Sequence, residues 1–135
     1  MRRAAIVIRV DGLKRVYEPG DEVQGDYAID GVTPEQVRAA ELYVLWHTEG
    51  KGDEDLAVHH FDRMSRDTDP DWDPRLPRRF ATILPNSPLS YDGVIVKIRW
   101  RIRVRAFLAG GRELVEEQRL QLGHVPTATP VTATP

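Results

Sequence analysis

Val94-Ile95-Val96-Lys97-Ile98-Arg99-Trp100-Arg101-Ile102-Arg103-Val104-Arg105-Ala106-Phe107-Leu108 alternates without a break. Every even position from Val94 to Leu108 is apolar. Five successive odd positions, Lys97, Arg99, Arg101, Arg103 and Arg105, are basic. A helix would bring its apolar residues round every three or four positions, whereas a period of two belongs to a strand with one dry and one wet face. The stretch is long enough to cross a whole sheet, and its wet face is a row of cations.

The pattern continues on either side. Gly110-Gly111 marks a hairpin, and Glu113 to Leu122 runs back. A three-residue loop at 110–112 sets Leu108 against Leu114, Ile102 against Leu120 and Trp100 against Leu122, with Arg105 opposite Glu117. A two-residue loop would scramble the inner face, so the apolar pattern selects the longer turn. Upstream, Ala4 to Val10, Glu22 to Ile29, Glu41 to Glu49, Leu56 to Phe61 and Phe80 to Leu84 read as strands, separated by turn signals such as Pro19-Gly20-Asp21. Thr33 followed by Pro34 is the one helix start, worth one or two turns. Met64 to Arg79 holds four Asp and three Pro and reads as a long surface loop. The expected fold is an all-β, immunoglobulin-like antiparallel two-sheet sandwich of about seven or eight strands.

That sandwich occupies residues 1–123. Residues 124–135 repeat Thr-Ala-Thr-Pro and read as a disordered Pro/Thr-rich tail. The 135 residues carry a formal net charge of −2 and no cysteine, which excludes disulfides, zinc thiolates and thiol nucleophiles. The bulk charge argues against nucleic acid as a partner. The apolar run near the N-terminus is shorter than the roughly seven to fifteen residues of a signal core, so the expected location is cytoplasmic, with no membrane span.

Two segments resemble the arrestin superfamily, in particular its alpha-arrestin-like domains. The first is Leu84-Pro85-Asn86-Ser87-Pro88-Leu89-Ser90-Tyr91-Asp92-Gly93, leading into the alternating Ile98 to Val104 strand. The second is Pro19-Gly20-Asp21 with Val23 and Gly25. The resemblance implies a single-domain version of an immunoglobulin-like sandwich that works as an adaptor or scaffold, holding protein partners without catalysis.

Four constellations could carry chemistry. The basic row Lys97, Arg99, Arg101, Arg103, Arg105 spaces its charges roughly 6.6 Å apart and suits an acidic or phosphorylated protein partner. Glu41, Glu49, Glu113 and Glu117 on neighbouring strands could equally neutralise it. Asp67, Asp69, Asp71 and Asp73 imitate a calcium loop, but Trp72 stands where glycine is needed and Arg78 where glutamate is. His47, His59 and His60 lie near acidic residues; His59 and His60 are adjacent on a strand and point to opposite faces, so only one could join His47. Trp72, in an acidic loop, is either core or a partner contact. No nucleophile elbow or phosphate loop is present. The expected function is therefore a non-catalytic protein-interaction domain with no cofactor. Its contact residues are Lys97, Arg99, Arg101, Arg103, Arg105 and Trp72. The alternative is a metal- or ligand-binding protein using the acidic and His loops. Edge strands are to be protected by self-association or by the long loop.

Overall fold

The computed structural model describes residues 3–12, 14, 16–50, 54–93 and 95–124. These form eight strands: β1 (Ala5–Val10), β2 (Glu22–Asp30), β3 (Val37–Gly50), β4 (Leu56–Ser65), β5 (Arg78–Ile83), β6 (Tyr91–Asp92), β7 (Val96–Leu108) and β8 (Glu113–Leu120). All pairings between them are antiparallel, in two sheets. The smaller runs β1-β2-β5. The larger runs β4-β3-β7, with β6 and β8 sharing the far side of β7. The all-β sandwich expected from the alternation is the fold. The 125–135 tail and Val94 lie outside the described residues.

The even residues of β7 supply the dry layer. Trp100, Ile102, Val104 and Ala106 pack with Leu42 and Val44 of β3 against Val23, Tyr27 and Ile29 of β2 and Phe80 of β5. Each is essentially removed from water, and burial at roughly 25 cal/mol per Å² of apolar surface is what holds the sheets face to face. Leu122 closes the core beyond β8: its N–H donates to Ser90 Oγ at 2.8 Å, and Ser90 N–H donates to the Leu122 carbonyl at 2.7 Å.

Strand limits depart from expectation in three places. The helix start at Thr33 yields a single 3₁₀ turn, Pro34–Gln36, closed by Thr33 N–H donating to Gln36 Oε1 at 2.8 Å. β3 therefore begins at Val37, not Glu41. Ala39 and Ala40 favour helix locally, but ladders to β4 and β7 on both sides override that preference. β4 runs on to Ser65 and β5 begins at Arg78, so the loop shrinks to 66–77. The charges of Asp62 and Arg63 hide the alternation there. β6 is a two-residue strand with too little sequence to show a period.

The β7–β8 hairpin has a three-residue loop, but at Ala109–Gly111. Gly110 and Gly111 adopt φ of 81° and 79°, a left-handed geometry that glycine alone adopts without cost, so both belong inside the loop. Leu108 N–H donates to the Arg112 carbonyl at 2.8 Å and closes it. Trp100 consequently faces Leu120, Ala106 faces Leu114, and Glu117 stands opposite Arg103 rather than Arg105. The slip is two residues, so every side chain stays on its expected face.

Between Val44 and Leu45 the β3–β4 register shifts, because His59 is an extra residue on β4. This bulge moves Leu56 and Val58 onto the same outer face as Phe61 and Arg63.

Candidate interaction face

The outer face of the larger sheet is organised in rows. On β7, Lys97, Arg99, Arg101, Arg103 and Arg105 point outward, as the alternation requires. Each is paired. Lys97 lies 3.7 Å from Asp92, and Arg99 lies 3.4 Å from Asp92 and 4.0 Å from Glu49. Arg101 reaches Glu117 at 2.9 Å and Glu49 at 3.3 Å, linking β8, β7 and β3. Arg103 donates from Nε to the other oxygen of Glu117 at 2.8 Å, and Arg105 donates to Glu113 at 2.7 Å. Five cations thus share four carboxylates. Of the acids expected to neutralise the row, Glu49, Glu113 and Glu117 do so. Glu41 instead takes Arg63 at 2.6 Å and the Tyr43 hydroxyl at 2.5 Å, and Asp92 stands in for it.

Most of these groups are half-buried, which makes the pairing matter. Burial pushes the Glu117 carboxyl up, but hydrogen bonds and charge from Arg103 and Arg101 outweigh it and hold the group below the usual glutamate range. A carboxyl depressed on folding stabilises the fold above its unfolded pKa, and that stabilisation fades as pH falls through its folded value. Glu117→Gln should therefore cost about 1–2 kcal/mol near neutral pH. The gap from the parent should narrow in acid. Urea unfolding of both proteins at a series of pH values checks this; a gap constant into acid would contradict it.

A second row lies on β4 at the sheet edge. Leu56, Val58 and Phe61 are 54%, 46% and 49% exposed, a dense apolar surface for one strand. Phe61 packs on Tyr43 of β3 with ring centroids 5.1 Å apart, and Arg63 and Arg105 both stand over Phe107. Among the described residues, β4 exchanges ladder hydrogen bonds only with β3. Sequence reasoning missed this row because the bulge at His59 breaks the period on which faces are assigned.

The remaining candidates separate. Trp72 is 8% exposed and belongs to the core, which corrects its reading as a partner contact. Its N–H donates to the Asp69 carbonyl at 3.1 Å, and Ile29 of β2 donates to the Pro74 carbonyl at 2.8 Å. The loop thereby runs beside the end of β2, with the indole buried in the core. Asp69 accepts from Asp71 N–H, and Asp73 accepts from the backbone and guanidinium of Arg75, so these carboxylates close turns. His47 shares the outer face with Glu49 at 3.0 Å. His59, the bulged residue, crosses to the smaller sheet, with Nε2 2.8 Å from the Ile83 carbonyl. His60 sits opposite Val44 on the core face. Neither therefore joins His47. No three His, Asp or Glu gather as metal ligands among the described residues; Asp53, an acidic loop residue between His47 and His59 in sequence, lies outside them. Among the described residues, no helix is long and apolar enough to cross a membrane.

The chain matches no protein-family profile and no curated protein sequence. Its fold is similar to that of solved structures. The sporulation control protein Spo0M of Bacillus subtilis superposes with a TM-score of 0.61 at 17% identity, over 93% of this chain and 51% of that one. The chain thus spans about half the length of Spo0M. The superoxide reductase (neelaredoxin) of Ignicoccus hospitalis superposes with a TM-score of 0.54 at 11% identity, over 87% of this chain and 80% of that one. A single-substitution variant of the same reductase gives 0.52 at 10% identity, over 86% and 79%. At such identities the likeness establishes a shared β-sandwich and nothing finer.

Proposed function

We propose that this domain is a non-catalytic, arrestin-like protein-interaction module that takes an extended partner segment along β4. The observation that carries this reading is the apolar row Leu56, Val58, Phe61 on a ten-residue edge strand without proline. An edge of this kind offers unpaired backbone groups for strand addition, while exposed side chains on alternate positions select the partner's sequence. The bulge at His59 limits how far two such edges can zip together, which favours a foreign strand over open-ended self-association. Acidic or phosphorylated groups flanking the partner segment would face Arg63 and, beyond β3, the arginine row. The fold it shares with a sporulation control protein is compatible with a regulatory role.

Selection from a random-peptide phage library, followed by NMR mapping of the enriched peptides, tests the reading. Peptides alternating apolar and acidic residues should shift amides over 56–63. Val58→Asp or Phe61→Asp should weaken them at least tenfold, about 1.4 kcal/mol. Both side chains are about half exposed, so the variants should stay folded, which circular dichroism checks. Peptides that map elsewhere, or that bind the variants equally well, would overturn the proposal.

A further inference from the structure

One cleft on the molecule lies apart from the β4 edge and the arginine row. It opens at the end of the sandwich where the start of β1, the β2–β3 turn, the loop before β5 and the β7–β8 hairpin meet, and its volume is about 730 Å³. That is within the range of roughly 300–1,000 Å³ typical of small-molecule sites. Three arginines, Arg3, Arg75 and Arg112, stand in its wall, with Val32 and Leu108 as apolar lining. Asp30 is the sole acidic residue in that wall among the described residues, and it has a partner of its own.

The cations of this cleft differ from those on β7 in one decisive respect. Every arginine on β7 has a carboxylate, whereas the side chains of Arg3 and Arg112 make no hydrogen bond or ion pair among the described residues. Arg75 is held in place by a two-point contact to Asp73, with Nε 3.0 Å and Nη2 2.9 Å from its oxygens, leaving Nη1 uncommitted. The positions of the other two are set by backbone. Gly31 has φ of 72°, and a Cβ there would collide with the carbonyl of Arg3, so the missing side chain lets residue 3 lie against the turn. Arg112 follows Gly111 directly, and its carbonyl closes the hairpin loop. Two guanidinium groups brought to one cavity with no carboxylate paired to either among the described residues suit a planar or tetrahedral oxyanion, which they grip with paired N–H donors.

We propose that this cleft binds a small anionic ligand, a carboxylate or phosphate head carried on a short apolar body. Arg3 and Arg112 hold the head, Arg75 completes the positive wall, and Val32 and Leu108 receive the apolar part. The site is independent of the β4 edge, so either can fail without the other.

NMR titration of the full chain with hexanoate, acetate and inorganic phosphate, each against chloride at matched ionic strength, tests it. Saturable shifts at Gly31, Val32, Thr33 and Ala109 are expected with at least one probe. Hexanoate should bind more tightly than acetate if the apolar wall is used, and saturation by phosphate alone assigns the head as phosphoryl. The Arg3→Ala/Arg112→Ala pair should lose at least about tenfold in affinity. Arg119→Ala, an exposed cation outside the cleft, should leave it unchanged. Shifts that follow ionic strength without saturating, or full binding by the double variant, would overturn the assignment.

Discussion

Trp100→Ala should destabilise the domain by about 4 kcal/mol, the cost of emptying an indole-sized volume at the centre of a packed core. Trp100 is 1% exposed and faces Trp46 across β3 and Leu120 across β8. Its Nε1–H donates to the Pro88 carbonyl at 2.8 Å, so the ring also ties β7 to the proline-containing segment that precedes it. For a domain of this size the loss corresponds to a fall of about 15 °C in melting temperature. Trp100→Phe separates the two contributions. It keeps most of the ring volume but leaves the Pro88 carbonyl without its donor, and should cost about 1–2 kcal/mol. Chemical denaturation of the three proteins decides the matter. An alanine variant within about 1 kcal/mol of the parent would mean that the core does not close around this residue.

Gly25→Ala should cost about 2–3 kcal/mol, an unusual penalty for adding one methyl group. Gly25 lies on the inward face of β2 with ordinary strand geometry, so the effect is one of space and not of backbone strain. A methyl there would fall against the Arg9 carbonyl of β1 and 2.8 Å from the Phe80 ring of β5, which fills the room a side chain would take. Relief requires β1 or Phe80 to move, in a sheet only three strands wide. Gly110→Ala makes a useful contrast. Nothing lies near the added atom, but φ is 81°, so the cost should be about 1 kcal/mol and purely conformational. Equal penalties for the two variants would contradict the packing account of Gly25.

Much of this architecture was legible in the chain itself. The fifteen-residue alternation identifies β7, its dry side and its row of cations, because a period of two is a local property of backbone geometry. The motif containing Gly25 could be quoted from sequence, but its cause could not. That cause is the Arg9 carbonyl of β1 together with the Phe80 ring of β5, the latter 55 residues away along the chain.

What tertiary structure alone decided is wherever distant segments compete. The charges of the arginine row were visible, yet which acid meets which arginine depended on two glycines setting the hairpin loop one residue earlier than the apolar pattern suggested. Trp72 looked available to a partner until the turns of its loop folded it inward. The exposed row on β4 exists because one extra residue, His59, resets the face of everything before it. The cleft brings Arg3, Arg75 and Arg112 together from three segments far apart in sequence, and nothing local to any of them points to the other two. Alternation is written residue by residue and needs no partner to be read. Register, bulges and the convergence of loops are relations between strands, and they take definite form only when two sheets pack and each side chain must find room and charge among neighbours from elsewhere in the chain.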